Sequence, residues 1–354
     1  MEFNLKKMGI NEPLISIIIL NYNSGILLSQ CVESIMKSNY TNYEIIVVDN
    51  ASHDNSHTEC KKKFQKVFLI ENKENVGYCE GNNIGLEKAD GNFIIILNPD
   101  TTVDKQWIEE FINAYQKFGE GLYQPKLLAM DDITRINSAG NMIHIFGFGF
   151  SRGRGEKDNG QYDQPQKIGY PSGACLFTSR KTIEKIGNFD TFLFAYHDDL
   201  DLGWRAAKSG IDSYYIPSAI VYHKESFNFK WSSKKFHLLE RNRHYCLLTN
   251  YSRKTYNSIL PYLILTEITI LFFYIYKGFI REKISAYADI LKNRKYIDSR
   301  YKELEKKRKF SDKHVIEKFV DELMVPKEIS SGMTNKYFNR FLLLMSKYAR
   351  KRIR

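Results

Sequence analysis

Short apolar runs alternate with amphipathic stretches through the first half of the chain. Residues 15–20, 43–48, 67–70 and 93–97 are rich in Ile and Val, and 26–37, 55–64 and 80–89 between them carry helix-like patterns. Continuous apolar strands alternating with helices predict an α/β domain whose mostly parallel sheet is covered by helices on both faces. Residues 107–118 read as a further helix, and 170–177 as a strand leading into a helix over 180–186. Between 144 and 166 the pattern breaks into Gly147, Gly149, Gly153, Gly155 and Gly160 with Arg152 and Arg154 among them. Such a stretch is either a surface loop or a lid.

Beyond residue 231 the chain turns to long helix-forming segments. Residues 259–276 are apolar apart from Thr266, Glu267 and Thr269, with Pro261 near the start. Their length approaches the roughly 20 residues that span a bilayer. Glu267 weighs against a complete span, because an acid at the bilayer centre costs at least about 2.5 kcal/mol. An in-plane or re-entrant membrane helix is therefore the first expectation, a span the second and a buried helix pair the third. Near the end, Tyr337, Phe338, Phe341, Leu342 and Met345 with Lys347, Arg350, Lys351, Arg352 and Arg354 predict a basic amphipathic helix lying on anionic lipid, with a solvated helical arm as the alternative. The division expected is 1–230 for the α/β domain, with halves at 14–125 and 126–230, and 231–354 for a helical, basic, membrane-associating region.

Charge supports that division. The 354 residues carry a net charge of +11, and from Lys277 onward 22 Lys and Arg face 10 Asp and Glu, so the excess belongs to the tail. A basic tail suits an anionic membrane or nucleic acid. No nucleic-acid motif or interleaved aromatic groove accompanies it, so nucleic acid is not expected as a partner. The cysteines (Cys31, Cys60, Cys79, Cys175, Cys246) are odd in number, scattered and without a Cys-x-x-Cys, which points away from a disulfide framework or zinc site and toward a reducing compartment. The first twelve residues are charged and lack the apolar core of a secretory signal.

Two acidic clusters carry the candidate chemistry. The apolar run ending at Leu97 passes into Asn98-Pro99-Asp100-Thr101-Thr102, delivering a carboxylate to the sheet rim where open α/β sheets bind ligands. Downstream, Tyr196-His197-Asp198-Asp199-Leu200-Asp201-Leu202-Gly203-Trp204-Arg205 sets three carboxylates in four positions at a helix start. One cluster suits a metal and the other a proton. Read without context, Asp100 is a turn or capping residue, and the second cluster is favourable charge at a helix N-terminus.

The run Leu97 to Thr101 resembles the variant Asp-X-Asp motif of glycosyltransferase family 2, in particular its rhamnosyltransferase-like branch. The resemblance extends through Ile17-Ile18-Ile19-Leu20-Asn21-Tyr22-Asn23, Val47-Val48-Asp49-Asn50-Ala51-Ser52 and Asn75-Val76-Gly77-Tyr78-Cys79-Glu80-Gly81-Asn82-Asn83-Ile84-Gly85. It continues through Gly173-Ala174, Ile186-Gly187-Asn188-Phe189-Asp190, the second acidic cluster and Val221-Tyr222-His223. An ordered set is far more specific than any member. It implies the GT-A nucleotide-sugar-binding fold.

The resemblance also implies roles. Asn21, Tyr22, Asn23 and Asp49 would cradle the nucleotide, Asp49 accepting from a base N–H, although an Asx-turn into Ser52 is the plain alternative. Asn75, Gly77, Gly81 and Asn82 would supply close backbone approach beside ribose or phosphate, or merely turn geometry. Asp100 would ligate Mg2+ or Mn2+, Asn98 standing where many relatives carry a first aspartate, and His223 would complete the metal site. Asp199 would be the acceptor base with Asp198 beside it, and Gly173 and Ala174 would lie on the acceptor side. Asp201 and Arg205, four apart, would form a supporting ion pair.

The expected activity is inverting transfer of a sugar, with rhamnose the branch's suggestion, from a dTDP- or UDP-sugar to a lipid-linked or cell-surface saccharide. The expected place is the cytoplasmic face of the membrane, held peripherally or by one re-entrant or spanning helix. A non-catalytic glycan- or nucleotide-binding scaffold of the same fold is the alternative.

Overall fold

A computed structural model describes residues 12–224, 232–323 and 332–353. The strands are β1 (Ile15–Asn21), β2 (Tyr43–Asp49), β3 (Phe68–Glu71), β4 (Phe93–Leu97), β5 (Thr101–Val103), β6 (Gly121–Ala129), β7 (Asp132–Ser138), β8 (Asn141–Ile143), β9 (Gly149–Ser151), β10 (Gln166–Ile168), β11 (Cys175–Ser179) and β12 (Asp212–His223). The helices are α1 (Ile26–Met36), α2 (Ser56–Lys63), α3 (Gly77–Lys88), α4 (Trp107–Phe118), α5 (Arg180–Ile186), α6 (Asp198–Lys208), α7 (Ser233–Asn250), α8 (Arg253–Tyr276), α9 (Ile280–Lys292), α10 (Arg294–Lys306), α11 (Asp312–Ile316) and α12 (Gly332–Arg352).

The main sheet runs β10-β12-β6-β11-β4-β1-β2-β3, with β5 on β12 and β7 on β6. Strands β4, β1, β2 and β3 are parallel, as expected of βα units, and their apolar residues are buried on both faces where helices cover β1, β2 and β4. The sheet is nevertheless mixed, because β11 lies antiparallel between β4 and β6. Its Phe177 stacks on Phe93 of β4 and on Phe111 of α4, with centroids 5.1 Å and 4.9 Å apart. Helix α4 buries Trp107, Ile108, Phe111, Ile112, Ala114 and Tyr115, the apolar stripe that its 3.6-residue period prescribes.

Helix α3 starts at Gly77, earlier than periodicity suggests, because other groups satisfy its first amides. Asn75 Oδ1 accepts from Gly77 N at 2.9 Å, and the Phe194 carbonyl accepts from Tyr78 N and Cys79 N at 2.6 and 3.2 Å. The predicted strand at 170–177 begins only at Cys175. In the glycine-rich stretch, Arg152, Glu156 and Asp158 exchange backbone hydrogen bonds with Ala139, Ile136 and Thr134, so this part is pinned along β7.

The chain forms two compact units, and the division is not a single cut near residue 230. Met142–Phe150 and Leu200–Gly210 join the C-terminal helices in the second unit, and the first contains Ser151–Asp199 and β12. In the second unit α7, α8 and α9 enclose a charge network. Arg243 lies 2.7 Å from Glu240 and 2.6 Å from Glu267, Lys283 lies 2.8 Å from Glu267, and Tyr287 donates to Glu267 at 2.6 Å. Burial opposes ionisation of both carboxyls, but Arg243, His244 and Lys283 outweigh it and hold them far below the ordinary range. Glu240, His244 and Glu267 are close enough to share a metal ion, yet two cationic side chains already neutralise them.

The structure corrects the face assigned to α12. Leu342 and Met345 are buried, Phe338 and Phe341 half-buried, and Arg350 is tied to Asp321 at 2.8 Å, so the face expected to meet lipid packs inward. Tyr337, Leu343, Leu344 and Tyr348 are exposed instead. Arg354 and the first eleven residues lie outside the described residues.

Candidate active site

The carboxyl ends of β1, β2 and β4 form one rim of the first unit, since Asn21 pairs with Asp49 and Ile19 with Leu97 in register. Asp49, 2% exposed, accepts from Asn21 Nδ2 at 2.7 Å, Ser52 Oγ at 2.6 Å and Ser52 N at 2.9 Å. These bonds hold the buried carboxylate against its own loop, through the amide three residues on rather than the two of an Asx-turn. Asn23 has φ 52°, donates its amide to Ser52 Oγ at 2.9 Å and accepts from His53 N at 2.8 Å. Tyr22 between them is 48% exposed, leaving its ring open on the rim. Asn21 Oδ1 is buried with no hydrogen-bond partner among the described residues.

Of the α3 residues, Gly77 and Gly81 serve close packing. Gly77 has φ 88°, and a Cβ there would lie 2.6 Å from the Phe194 ring. A Cβ on Gly81 would lie 2.3 Å from Leu20, so this glycine faces the sheet rather than a ligand. Asn82 is fully buried and donates to the Tyr78 carbonyl at 2.9 Å. Sequence reasoning passed over Asn50 and Asn83. Asn50 Nδ2 donates to the Gly77 carbonyl at 3.0 Å, and its Oδ1 accepts from Asn72 at 2.8 Å. Asn83 exchanges two hydrogen bonds with the Phe189 backbone, 2.9 and 3.1 Å. Both sit inside the quoted motifs, which were their only signal.

Asp100 and His223 meet. Strand β12 pairs antiparallel with β5, placing His223 opposite Thr101, and Lys224 N donates to the Asp100 carbonyl at 2.9 Å. His223 Nε2 lies 3.4 Å from Asp100 Oδ1, a buried oxygen with no hydrogen-bond partner among the described residues. On the far side, His223 Nδ1 lies 3.2 Å from Asn137 Oδ1 on β7, a third residue that sequence reasoning missed. An acceptor there keeps the proton on Nδ1 and turns the Nε2 lone pair toward Asp100. Two electron-rich atoms facing each other fit a shared divalent cation.

The second acidic cluster joins the same rim through backbone. Asn98 N donates to the Ala174 carbonyl at 3.0 Å, and Gly173 N donates to Asp199 Oδ2 at 3.1 Å. Tyr78 on α3 donates its hydroxyl to the Gly173 carbonyl at 2.8 Å. Ala174 is buried, so its part here is this backbone link rather than an exposed acceptor contact. Asp198 is buried, and burial followed by the charge of Asp199 pushes its carboxyl well above the usual range. Burial pushes the Tyr78 hydroxyl up as well, keeping it a proton donor in the hydrogen bond. Phe194, Tyr196 and His197, just before the pair, have φ of 61°, 67° and 61°. Left-handed backbone at three bulky residues stores roughly 1–3 kcal/mol each, a concentration typical of functional turns.

Residues 16–187 match the family model described as glycosyl transferase family 2. The low-salt glycan biosynthesis hexosyltransferase Agl10 of Haloferax volcanii is 26% identical over 206 residues, covering 56% of this chain and 63% of that protein. The N-acetylglucosaminyl-diphospho-decaprenol L-rhamnosyltransferase of Mycobacterium tuberculosis is 23% identical over 236 residues, covering 59% and 76%. Among solved structures, GalNAc-T7 with UDP, GalNAc and Mn2+ superposes with TM-score 0.56 at 15% identity, over 72% of this chain and 51% of that one. The mannosyltransferase PcManGT of Pyrobaculum calidifontis, in complex with GDP-Man and Mn2+, gives 0.51 at 14% identity, over 96% and 85%. The chain thus carries, over residues 16–187, a glycosyl transferase family 2 domain with a GT-A-like fold.

Proposed function

We propose that this protein is an inverting glycosyltransferase that moves a sugar from a nucleoside diphosphate to a lipid-linked saccharide, with rhamnose as the first donor sugar to test. The observation that carries the reading is the meeting of Asp100 and His223 at a rim tied by the Asn98–Ala174 and Gly173–Asp199 hydrogen bonds to the Asp198–Asp199 pair. Asp100 and His223 would hold Mg2+ or Mn2+, which neutralises charge developing on the departing diphosphate. Tyr22, Asn21 and Asn23 frame the nucleotide side, with Asp49 fixing their loop. Asp199, oriented by the Gly173 amide, accepts the proton of the acceptor hydroxyl as its oxygen attacks the anomeric carbon and the diphosphate leaves from the opposite face. Asp198 keeps its proton and spares Asp199 a second adjacent charge. The names of the mycobacterial and haloarchaeal relatives support a glycan-building role, and the former supports a lipid-diphosphate acceptor. A lipid-linked acceptor would hold the reaction at a membrane surface, which this reading takes to be the cytoplasmic face.

A donor screen with Mg2+ or Mn2+, scoring released nucleotide against a lipid-linked acceptor extract, tests this reading. Asp100→Asn is expected to lower turnover by on the order of 10²-fold or more, the scale for losing a charge-stabilising contact. Unchanged turnover and metal response in that variant would remove Asp100 from the mechanism. Donor binding without turnover in the native chain, across all sugars and acceptors, would favour the scaffold reading.

A further inference from the structure

We infer that the second unit docks in the plane of an anionic lipid surface through the outer faces of α8 and α12. The inference does not depend on the sugar chemistry proposed above. On α8 the exposed large residues are Ile264, Leu265, Ile268, Phe272, Ile275 and Tyr276. At 100° per residue they fall within an arc of about 120°, one uninterrupted apolar stripe. Phe272 and Tyr276 are 66% and 82% exposed.

Glu267, the only acid in the apolar stretch, points the other way into the network with Arg243, Lys283 and Tyr287. A lone span would carry that network, with Arg243 and Lys283 nearly inaccessible, into hydrocarbon, where each charge is costly. An in-plane helix keeps the network in protein and puts only the stripe into lipid. The acid that weighs against a span therefore favours the in-plane arrangement.

Helix α12 supplies the charge. It contains no acidic residue, and its exposed face sets Arg340, Lys347 and Lys351 beside Tyr337, Leu344 and Tyr348. The two faces adjoin where Tyr348 stacks on Tyr262 of α8, with centroids 6.2 Å apart and planes at 9°. A basic and aromatic strip beside an apolar stripe matches the lipid boundary, where aromatics sit at headgroup level and cations meet anionic headgroups. Complementary charge is the ground for choosing lipid over a second copy of this basic surface, which would repel itself.

The test sediments the full chain with phosphatidylcholine vesicles, with and without about a third phosphatidylglycerol. Binding is expected to the anionic vesicles and to weaken steeply with salt. Arg340→Gln, Lys347→Gln and Lys351→Gln combined should weaken it by roughly 10²-fold, since each such charge is worth about fivefold. Ile268→Ser with Phe272→Ser should abolish the salt-resistant remainder. Unchanged thermal melting of both variants establishes that they fold. Equal binding to neutral vesicles, or native binding by the charge variant, overturns the electrostatic part. Resistance to alkaline carbonate extraction overturns the in-plane arrangement in favour of a span. A concentration-dependent dimer that ignores vesicles overturns the inference altogether.

Discussion

Adjacent residues with nearly the same chemistry can be separated by their surroundings, and Asp198 and Asp199 are such a pair. Asp199→Asn keeps size and loses the proton acceptor, so turnover is expected to fall by roughly 10²-fold or more with donor affinity nearly preserved. Asp198→Asn should cost less, because it mimics the protonated form that burial and the Asp199 charge already favour. If Asp198→Asn is the inactive variant and Asp199→Asn keeps turnover under the same acceptor and metal, the base is assigned wrongly. The raised carboxyl also gives a sign to the pH dependence. An unfolded aspartate loses its proton near pH 4, at about 3.9, whereas folded Asp198 still holds one. Its contribution to stability is therefore full below that pH and declines as pH rises through the folded value. Urea midpoints of the native chain should fall relative to those of Asp198→Asn between about pH 4 and neutrality, and parallel curves would show that the group is not raised. The carboxylates were legible in the sequence because each stands at the end of an element. Asn50, Asn83 and Asn137 were not, since a buried amide acts through partners distant in sequence and leaves no periodic trace.

Helix α6 shows the same contrast within one element. Asp201 is not part of the proton-transfer assignment. Its Oδ2 lies 2.7 Å from Arg205 Nε with both side chains nearly inaccessible, and its Oδ1 accepts from Asn250 at 2.9 Å. Removing one partner of such a buried pair costs about 3–5 kcal/mol. Asp201→Ala should lower stability on that scale in denaturant titration, and an unshifted midpoint would deny the pair its structural role. The four-residue spacing announced this pair, just as alternating patterns announced β4, α4 and α5 with their observed bounds. The early start of α3 was hidden because its cap is the Phe194 carbonyl, supplied from far along the chain. The face of α12 was hidden for a related reason. Its sequence offers apolar residues on most sides, and only packing decides which of them are inside.

At the scale of the whole chain, composition located the basic excess in the tail, and six of its Lys and Arg, with no acid among them, fall on α12. The sheet was legible as far as its four parallel strands, where strand and helix alternate locally. It was not legible at β11 and β12, whose pairing partners are fixed by the closing of long intervening segments. Strand β11 inserts between β4 and β6, and β12 brings His223 to Thr101. This topology sets the order in which the rim can assemble. On the ribosome, the four parallel strands and their helices emerge first, Asp199 follows, and the imidazole that faces Asp100 comes last, at residue 223. No N-terminal fragment ending before that point can hold Asp100 against its imidazole. The ends of β1 and β2 are thus translated long before the imidazole that faces Asp100, and the Asp100–His223 pair is the last part of the rim to close.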